Sequence, residues 1–412
     1  MKKKNISIIL VLLVVAIVVS AIVVYNIAGS CSICDKLVLN KSYWLPSGEN
    51  SESLVCKDCY YNNSDYYDAT EDKVEFDDSG EIEYADISNS SDSNKQDSGY
   101  NDSNIPNDYK TGQLQYPSSN DTFKYNVYDT HIEITGYVGE DITGDLIIPD
   151  TIENLPVRVI GPYAFGGESL SRTFPGCSIS SVVISDNVCE IGECAFYRCE
   201  NLESVQFGKS VYSIGESAFQ NTALLSVELP ETLAEIDSAI FYECENLETV
   251  VYNNKLTFVS ESMFAGCVNL TSFVWGSNIK YIDTRGFSDT GFTSIDIPES
   301  VEYIGESAFS GCNQLQTFVF PDTVKEIGAY CLSYCDELQS VTFGAGIQSI
   351  PSGVLSDSDW VENIYFTAPD VVISEGVLGG EYYVANPVIY GHKASTAATF
   401  AVEENLTFKP LS

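Results

Sequence analysis

From Ile191 onward the apolar residues recur with a fixed period. Starting each unit at its isoleucine-like residue gives Ile191, Ile214, Ile236, Val259, Ile282, Ile304, Ile327 and Ile350, at intervals of 23, 22, 23, 23, 22, 23 and 23. A period of this length predicts a solenoid, with one short strand per coil, and the expected fold class is a mainly-β or α/β solenoid. Within the unit Ile304 to Glu326 the apolar residues are Ile304, Ala308, Phe309, Leu315, Phe318, Phe320 and Val324, while Gly305 and Pro321 mark corners. No unit could bury that set alone. Stacked coils make a continuous core in which the ring of Phe309 meets its equivalents, Phe196, Phe219, Phe241, Phe264 and Phe287 among them.

The ninth position of each unit is small and weakly polar: Cys199, Thr222, Cys244, Cys267, Thr290, Cys312, Cys335 and Ser358. Both 22-residue units carry Thr there, which predicts a second, shorter turn with a different bonding group. Buried cysteine behaves as a small hydrophobe, so packing is the first role of this ladder. A disulfide between adjacent rungs such as Cys312 and Cys335 is the alternative. Cys177, Cys189, Cys194 and Cys331 lie off the ladder and receive no role.

In each strand the apolar positions point inward, so by two-residue periodicity their neighbours point outward. Across the middle of the array these outward residues are Ser226 and Glu228, Thr249 and Val251, Ser272 and Val274, Ser294 and Asp296, Thr317 and Val319, Ser340 and Thr342. They form a candidate binding face, made less polar at its centre by Val251, Val274, Val319 and Trp275. The plainer reading is that small hydroxyls suit a flat strand ladder.

Upstream the pattern changes three times. Lys2, Lys3 and Lys4 precede Ile6 to Val24, an uncharged run long enough to span a bilayer, so residues 1–30 are expected to be a single-pass membrane anchor with the bulk of the chain extracellular. A cleaved signal peptide is the rival, with Ala28 and Ser30 before Cys31, although the apolar run exceeds the usual length of such a segment. In residues 31–60 two C-x-x-C knuckles, Cys31 with Cys34 and Cys56 with Cys59, flank Tyr43, Trp44 and Gly48. Four thiolates at this spacing suit one closed tetrahedral zinc site, and two disulfides would staple so small a module equally well. The stretch resembles small zinc-ribbon or treble-clef-like modules. Residues 61–120 are rich in Asp, Glu, Ser and Asn and poor in aliphatics, which predicts a disordered acidic linker. The repeat array with its caps is expected over residues 121–412.

Charge narrows the functions. With 20 Lys and Arg against 59 Asp and Glu, a formal net charge of -39 in 412 residues excludes nucleic acid as a partner. Only two histidines are present, His131 and His392, and no phosphate-cradling glycine motif occurs, so no catalytic constellation is legible and an enzyme is not expected.

The units Ile-Gly-Glu-Ser-Ala-Phe at 214–219 and 304–309, followed by Cys or a relative, Leu, and then Pro-Glu-Ser-Val or Pro-Asp-Thr-Val, resemble the BspA-like leucine-rich repeats of bacterial surface proteins. Tyr125 to Gly161 resembles that family's N-terminal lead-in. Ile389 to His392, Ser395 to Phe400 and Leu406 to Phe408 resemble its closing segment, with a short helix from about Ser395 to Glu404 over the last coil. The insert from Gly167 to Gly176 and the degraded coil after Pro351 depart from the family pattern. The resemblance implies adhesion or protein binding at a cell surface, and the outward strand face is the candidate platform for an extracellular protein or glycan ligand. A structural cell-envelope component and a metal-responsive membrane protein are the alternatives.

Overall fold

The computed structural model describes residues 43–47, 51–55, 110, 112–139, 142–166, 177–379 and 386–411. The chain divides into two units, Met1–Ser98 and Gly99–Ser412. In the first, the described residues form an antiparallel hairpin of Tyr43–Ser47 with Ser51–Val55, lying between the two C-x-x-C knuckles. The anchor run Ile6 to Val24, the four knuckle cysteines and the insert from Gly167 to Gly176 lie outside the described residues.

The second unit is a β-solenoid, and it corrects the expectation of one strand per coil. Most coils carry two strands. One is a two-residue strand at the isoleucine corner, as in the parallel series Phe258–Val259, Tyr281–Ile282, Tyr303–Ile304 and Glu326–Ile327. The other is a three- or four-residue strand, as in Thr317–Val319, Ser340–Phe343, Asn363–Phe366 and Val388–Gly391. Two paired residues leave no two-residue alternation in the sequence, which is why the corner strand is invisible before the coils are stacked. The coil after Ile350 keeps the register: Ser349–Ile350 pairs with Val372–Ile373.

The turn between the two ladders is bonded from coil to coil as well. Its fourth and eighth positions adopt positive φ in successive coils, as at Ser262, Arg285 and Ser307, and at Asn221, Glu243 and Asp289. That conformation aims each backbone N–H along the stack. Ser262 donates to the Thr284 carbonyl at 2.9 Å, Arg285 to Glu306 at 2.9 Å, and Asp289 to Ser310 at 2.8 Å. The recurrent corner glycine has a different cause. A Cβ on Gly305 would lie 2.6 Å from the Thr284 nitrogen of the preceding coil, so the close approach of neighbouring backbones selects glycine there.

Inside, phenylalanine makes the expected stack. Phe165, Phe196, Phe219, Phe241, Phe264, Phe287 and Phe309 follow one another with centroids 5.1–5.7 Å apart. Beyond Phe309 the turn position passes to Leu332 and Leu355, and the aromatic column crosses the core. Phe318 packs on Phe309 at 4.8 Å and on Phe320 at 4.7 Å, and Phe320, Phe343 and Phe366 continue the stack on the strand side.

Both ends are covered. At the N-terminal end Leu114–Ser119, Phe123–Tyr128 and Ile132–Tyr137 pair antiparallel before Ile132–Ile134 joins the first parallel strand. The array therefore begins ahead of the boundary expected at residue 121. Leu114–Ser119 is largely exposed and held through its backbone, so no burial pattern marks it in the sequence. At the other end the helix Thr396–Glu403 is capped by Ser395, whose side chain accepts from the Ala398 N–H, and buries Ala397, Phe400 and Ala401. Phe400 meets Phe366 edge-on at 6.3 Å.

Candidate functional site

Strand alternation builds the candidate face. Val227, Val250, Phe318 and Val341 are buried, and the residues on either side of each turn away from the core. Ser226, Glu228, Thr249, Val251, Ser272, Val274, Ser294, Asp296, Thr317 and Val319 are exposed, while Ser340 and Thr342 are half-buried. Register aligns them: Ser226, Thr249 and Ser272 face one another across adjacent strands, as do Glu228, Val251 and Val274. Thr317 pairs with Ser340 and Val319 with Thr342.

Three of these outward residues are aliphatic with large exposed fractions: Val251 at 40%, Val274 at 54% and Val319 at 55%. Leu225, one residue ahead of its strand, adds another at 49%. Trp275 does not belong to this face. Standing two residues after the inward Phe273, it turns inward too and packs on Phe273 at 4.6 Å and Phe287 at 5.6 Å.

The ladder is interrupted where a coil is one residue short. Ser226–Glu228, in the coil of Thr222, opens a new sheet, and Ser294 and Asp296, in the coil of Thr290, are in no strand. The bonding group differs there as well. Thr222 Oγ1 donates to its own coil's Phe219 carbonyl at 2.9 Å, and that carbonyl also accepts from Cys244 Sγ of the next coil at 3.2 Å. Thr290, Phe287 and Cys312 repeat the arrangement.

One rim of the face was not anticipated from the sequence. Exposed carboxylates follow the ninth-position ladder in several coils: Glu200 and Glu203, Glu245 and Glu248, Asp336 and Glu337, Asp359 and Glu362. The usable signal is a carboxylate immediately after Cys199, Cys244, Cys335 and Ser358, with a second four residues on except at Glu337, which general acidity conceals. Across the turn, Glu193, Glu216, Glu261 and Glu306 recur at one position of their coils; Glu261 and Glu306 are exposed, whereas Glu193 and Glu216 are half-buried and Glu193 accepts from the Tyr163 hydroxyl at 2.6 Å.

The ladder cysteines are built into the core. Cys267 donates to the Phe241 carbonyl at 3.2 Å and Cys335 to Phe309 at 3.4 Å. Burial pushes the Cys244 and Cys312 thiols up to about 11, far from a reactive thiolate at neutral pH. Cys312 and Cys335 are free thiols. The disulfide among the described residues instead joins Cys177 to Cys199, linking a cysteine that had no assigned role to the first rung. Cys331 is buried at the position that Ala308 occupies in the preceding coil. Of the histidines, His131 is buried and stacked on Tyr128 at 4.4 Å, and His392 Nε2 donates to the Thr367 carbonyl at 2.9 Å.

Among solved structures, the chain is similar to a leucine-rich cell surface protein from Faecalibacterium prausnitzii at 22% identity, covering 73% of this chain and 96% of that one with a TM-score of 0.45. A leucine-rich repeat protein from Bacteroides ovatus matches at 18% identity, over 72% and 100% of the two chains, with a TM-score of 0.31. The pneumococcal vaccine antigen PcpA matches at 16%, over 73% and 100%, with a TM-score of 0.32. No curated protein matches. The family profile described as the BspA type leucine rich repeat region matches residues 168–292 and 280–380 in six copies. With more than half of its length under that profile, the chain belongs to the BspA-type leucine-rich-repeat family.

Proposed function

We propose that the solenoid is a binding module and not an enzyme, that its outward strand face engages an extracellular protein or glycan, and that residues 1–30 anchor it in the cell membrane. The observation that carries the reading is that Val251, Val274 and Val319 are exposed at one strand position, with Asp296 between the last two, on a face whose alternate residues are buried. Leaving three valines in water at regular strand positions forgoes burial that the core positions of the same strands obtain, and burying them against a partner recovers it. The thiols and histidines of the array sit in packed or backbone-bonded positions, which supports binding over chemistry. The lysines ahead of Ile6 to Val24 support the anchor and its orientation.

An array of extracellular proteins and glycans probed with the full-length protein tests the reading. The wild type should bind at least one class of probe, and Val319→Lys should weaken that binding by about tenfold or more, a loss of about 1.4 kcal/mol, with the melting temperature unchanged. Binding retained in full by Val319→Lys would move the site off the strand face. Absence of binding to every probe would favour a structural envelope component.

A further inference from the structure

We infer that the partner of the strand face is a protein presenting Lys or Arg side chains beside an aliphatic strip, a cationic amphipathic surface. This rests on the strand face being the binding surface and adds the chemistry of what it takes. Thr249–Val251, Ser340–Phe343 and Asn363–Phe366 each bond a strand on both sides, while Ser226–Glu228, Ser272–Val274 and Thr317–Val319 end their sheets. A ligand lying over the face meets the outward side chains of all of them. What it meets are exposed valines with carboxylates to one side in the coils of Val251, Thr342 and Tyr365, while the same stretch is uncharged in the coils of Val274, Asp296 and Val319. Glu245 and Glu248, Asp336 and Glu337, and Asp359 and Glu362 are all exposed along that rim. From Glu245 to Glu362 no Lys or Arg occupies the stretch between the ninth-position residue and its strand in any coil.

The opposite rim is mixed in sign. Lys209 pairs with Asp186 at 2.7 Å, Lys255 lies in the coil after that of Glu231, and Glu299 and Asp322 are exposed at the corresponding corners of later coils. The field across the face is therefore asymmetric, so a partner with an ordered pattern of charge would dock in one orientation. Glycans fit less well. Trp275 is turned into the core, and the aromatic pair at the end of the face, Tyr365 and Tyr390, stacks on itself at 4.4 Å with Lys409 over the outer ring. The exposed rings nearest the face, Tyr334 and Trp360, stand among the carboxylates and not beside the valines, so a sugar stacked on them leaves the valine positions uncovered, and an anionic one is repelled by the rim.

The test uses the full-length protein with three short synthetic probes: alternating Lys-Val, Lys-Ser and Glu-Val peptides of equal length. Lys-Val should bind, Lys-Ser and Glu-Val should each be weaker by about tenfold or more, and added salt should lower mainly the association rate. Glu337→Lys with Glu362→Lys, and separately Val319→Ser, should each cost about tenfold in Lys-Val affinity, while Glu231→Lys with Glu299→Lys on the mixed rim should change it less than about twofold. These are surface substitutions, and unchanged melting curves exclude misfolding as the cause. Lys-Ser binding as well as Lys-Val, or equal losses from the two rims, would reduce the effect to general attraction by a polyanion and overturn the proposal. Failure of Lys-Val to bind would overturn it as well. If the array then still yields neutral ligands whose binding Val319→Lys abolishes, the strand face stands as the site and only the cationic partner falls.

Discussion

At the scale of single residues, the direction of one side chain decides its role. Phe309 is fully buried between Phe287 and Phe318, two residues beyond the positive-φ turn at Ser307, and Val319 stands outward on the same coil. Phe309→Ala should destabilise the array by roughly 3–5 kcal/mol, the usual cost of deleting a buried ring, with earlier loss of both neighbouring coils in denaturant melts followed by hydrogen exchange. A loss below about 1 kcal/mol would mean that the stack relaxes around the hole. Glu190 supplies a second, pH-dependent case. Burial raises its carboxyl above the usual carboxylate range, and Glu133, Glu235 and Asp237 add to the effect against the opposing pull of Lys110. Between its unfolded and folded pKa values the folded state holds more proton, so stability falls as pH rises through that window and the penalty is complete above it. Glu190→Gln should therefore raise the melting temperature at neutral pH, and the gain should shrink to nothing as pH drops below the ordinary carboxylate range. A gain independent of pH would assign the effect to packing.

At the scale of elements, the sequence was most legible where each coil repeats a side-chain requirement. The Phe stack and the Thr-bearing short coils could be placed by counting, because burial demands a particular residue type at a particular position, while the closing helix was expected from the resemblance to the family's last segment. The corner strands escaped because two paired residues carry no periodicity of their own. Leu114–Ser119 escaped because backbone pairing holds it and few of its side chains are covered. The Cys177–Cys199 link escaped because Cys177 follows an insert that breaks the 23-residue count. Outward residues of the candidate face followed from alternation alone, whereas the carboxylate rim was hidden by general acidity and Trp275 was misassigned against the same two-residue rule. For the N-terminal module, the knuckles Cys31, Cys34, Cys56 and Cys59 are proposed to hold one closed zinc site. Protein purified without chelator should contain about one zinc per chain, and chelation should unfold the module. No stoichiometric zinc together with two disulfides by mass analysis would make the staple covalent.

At the scale of the whole molecule, a solenoid spends its sequence on two separable tasks. Inward residues recur because neighbouring coils share one core, and outward residues are free to vary with what they touch. The net charge of -39 keeps the surface soluble and self-repelling; single apolar residues such as Ile147, Val372 and Val402 are exposed elsewhere, and the valines of the strand face are the ones that recur at one strand position. On the proposed reading, the molecule meets its partner on that face and not on the turns. A photo-cross-linking amino acid placed in turn at Glu306, Gln316, Thr317, Val319 and Asp322 of the full-length protein samples the circumference of one coil without altering the core. Adducts with extracellular protein should be concentrated at Gln316, Thr317 and Val319 and fall to background at Glu306. A maximum at Glu306, or equal yields around the coil, would contradict the account.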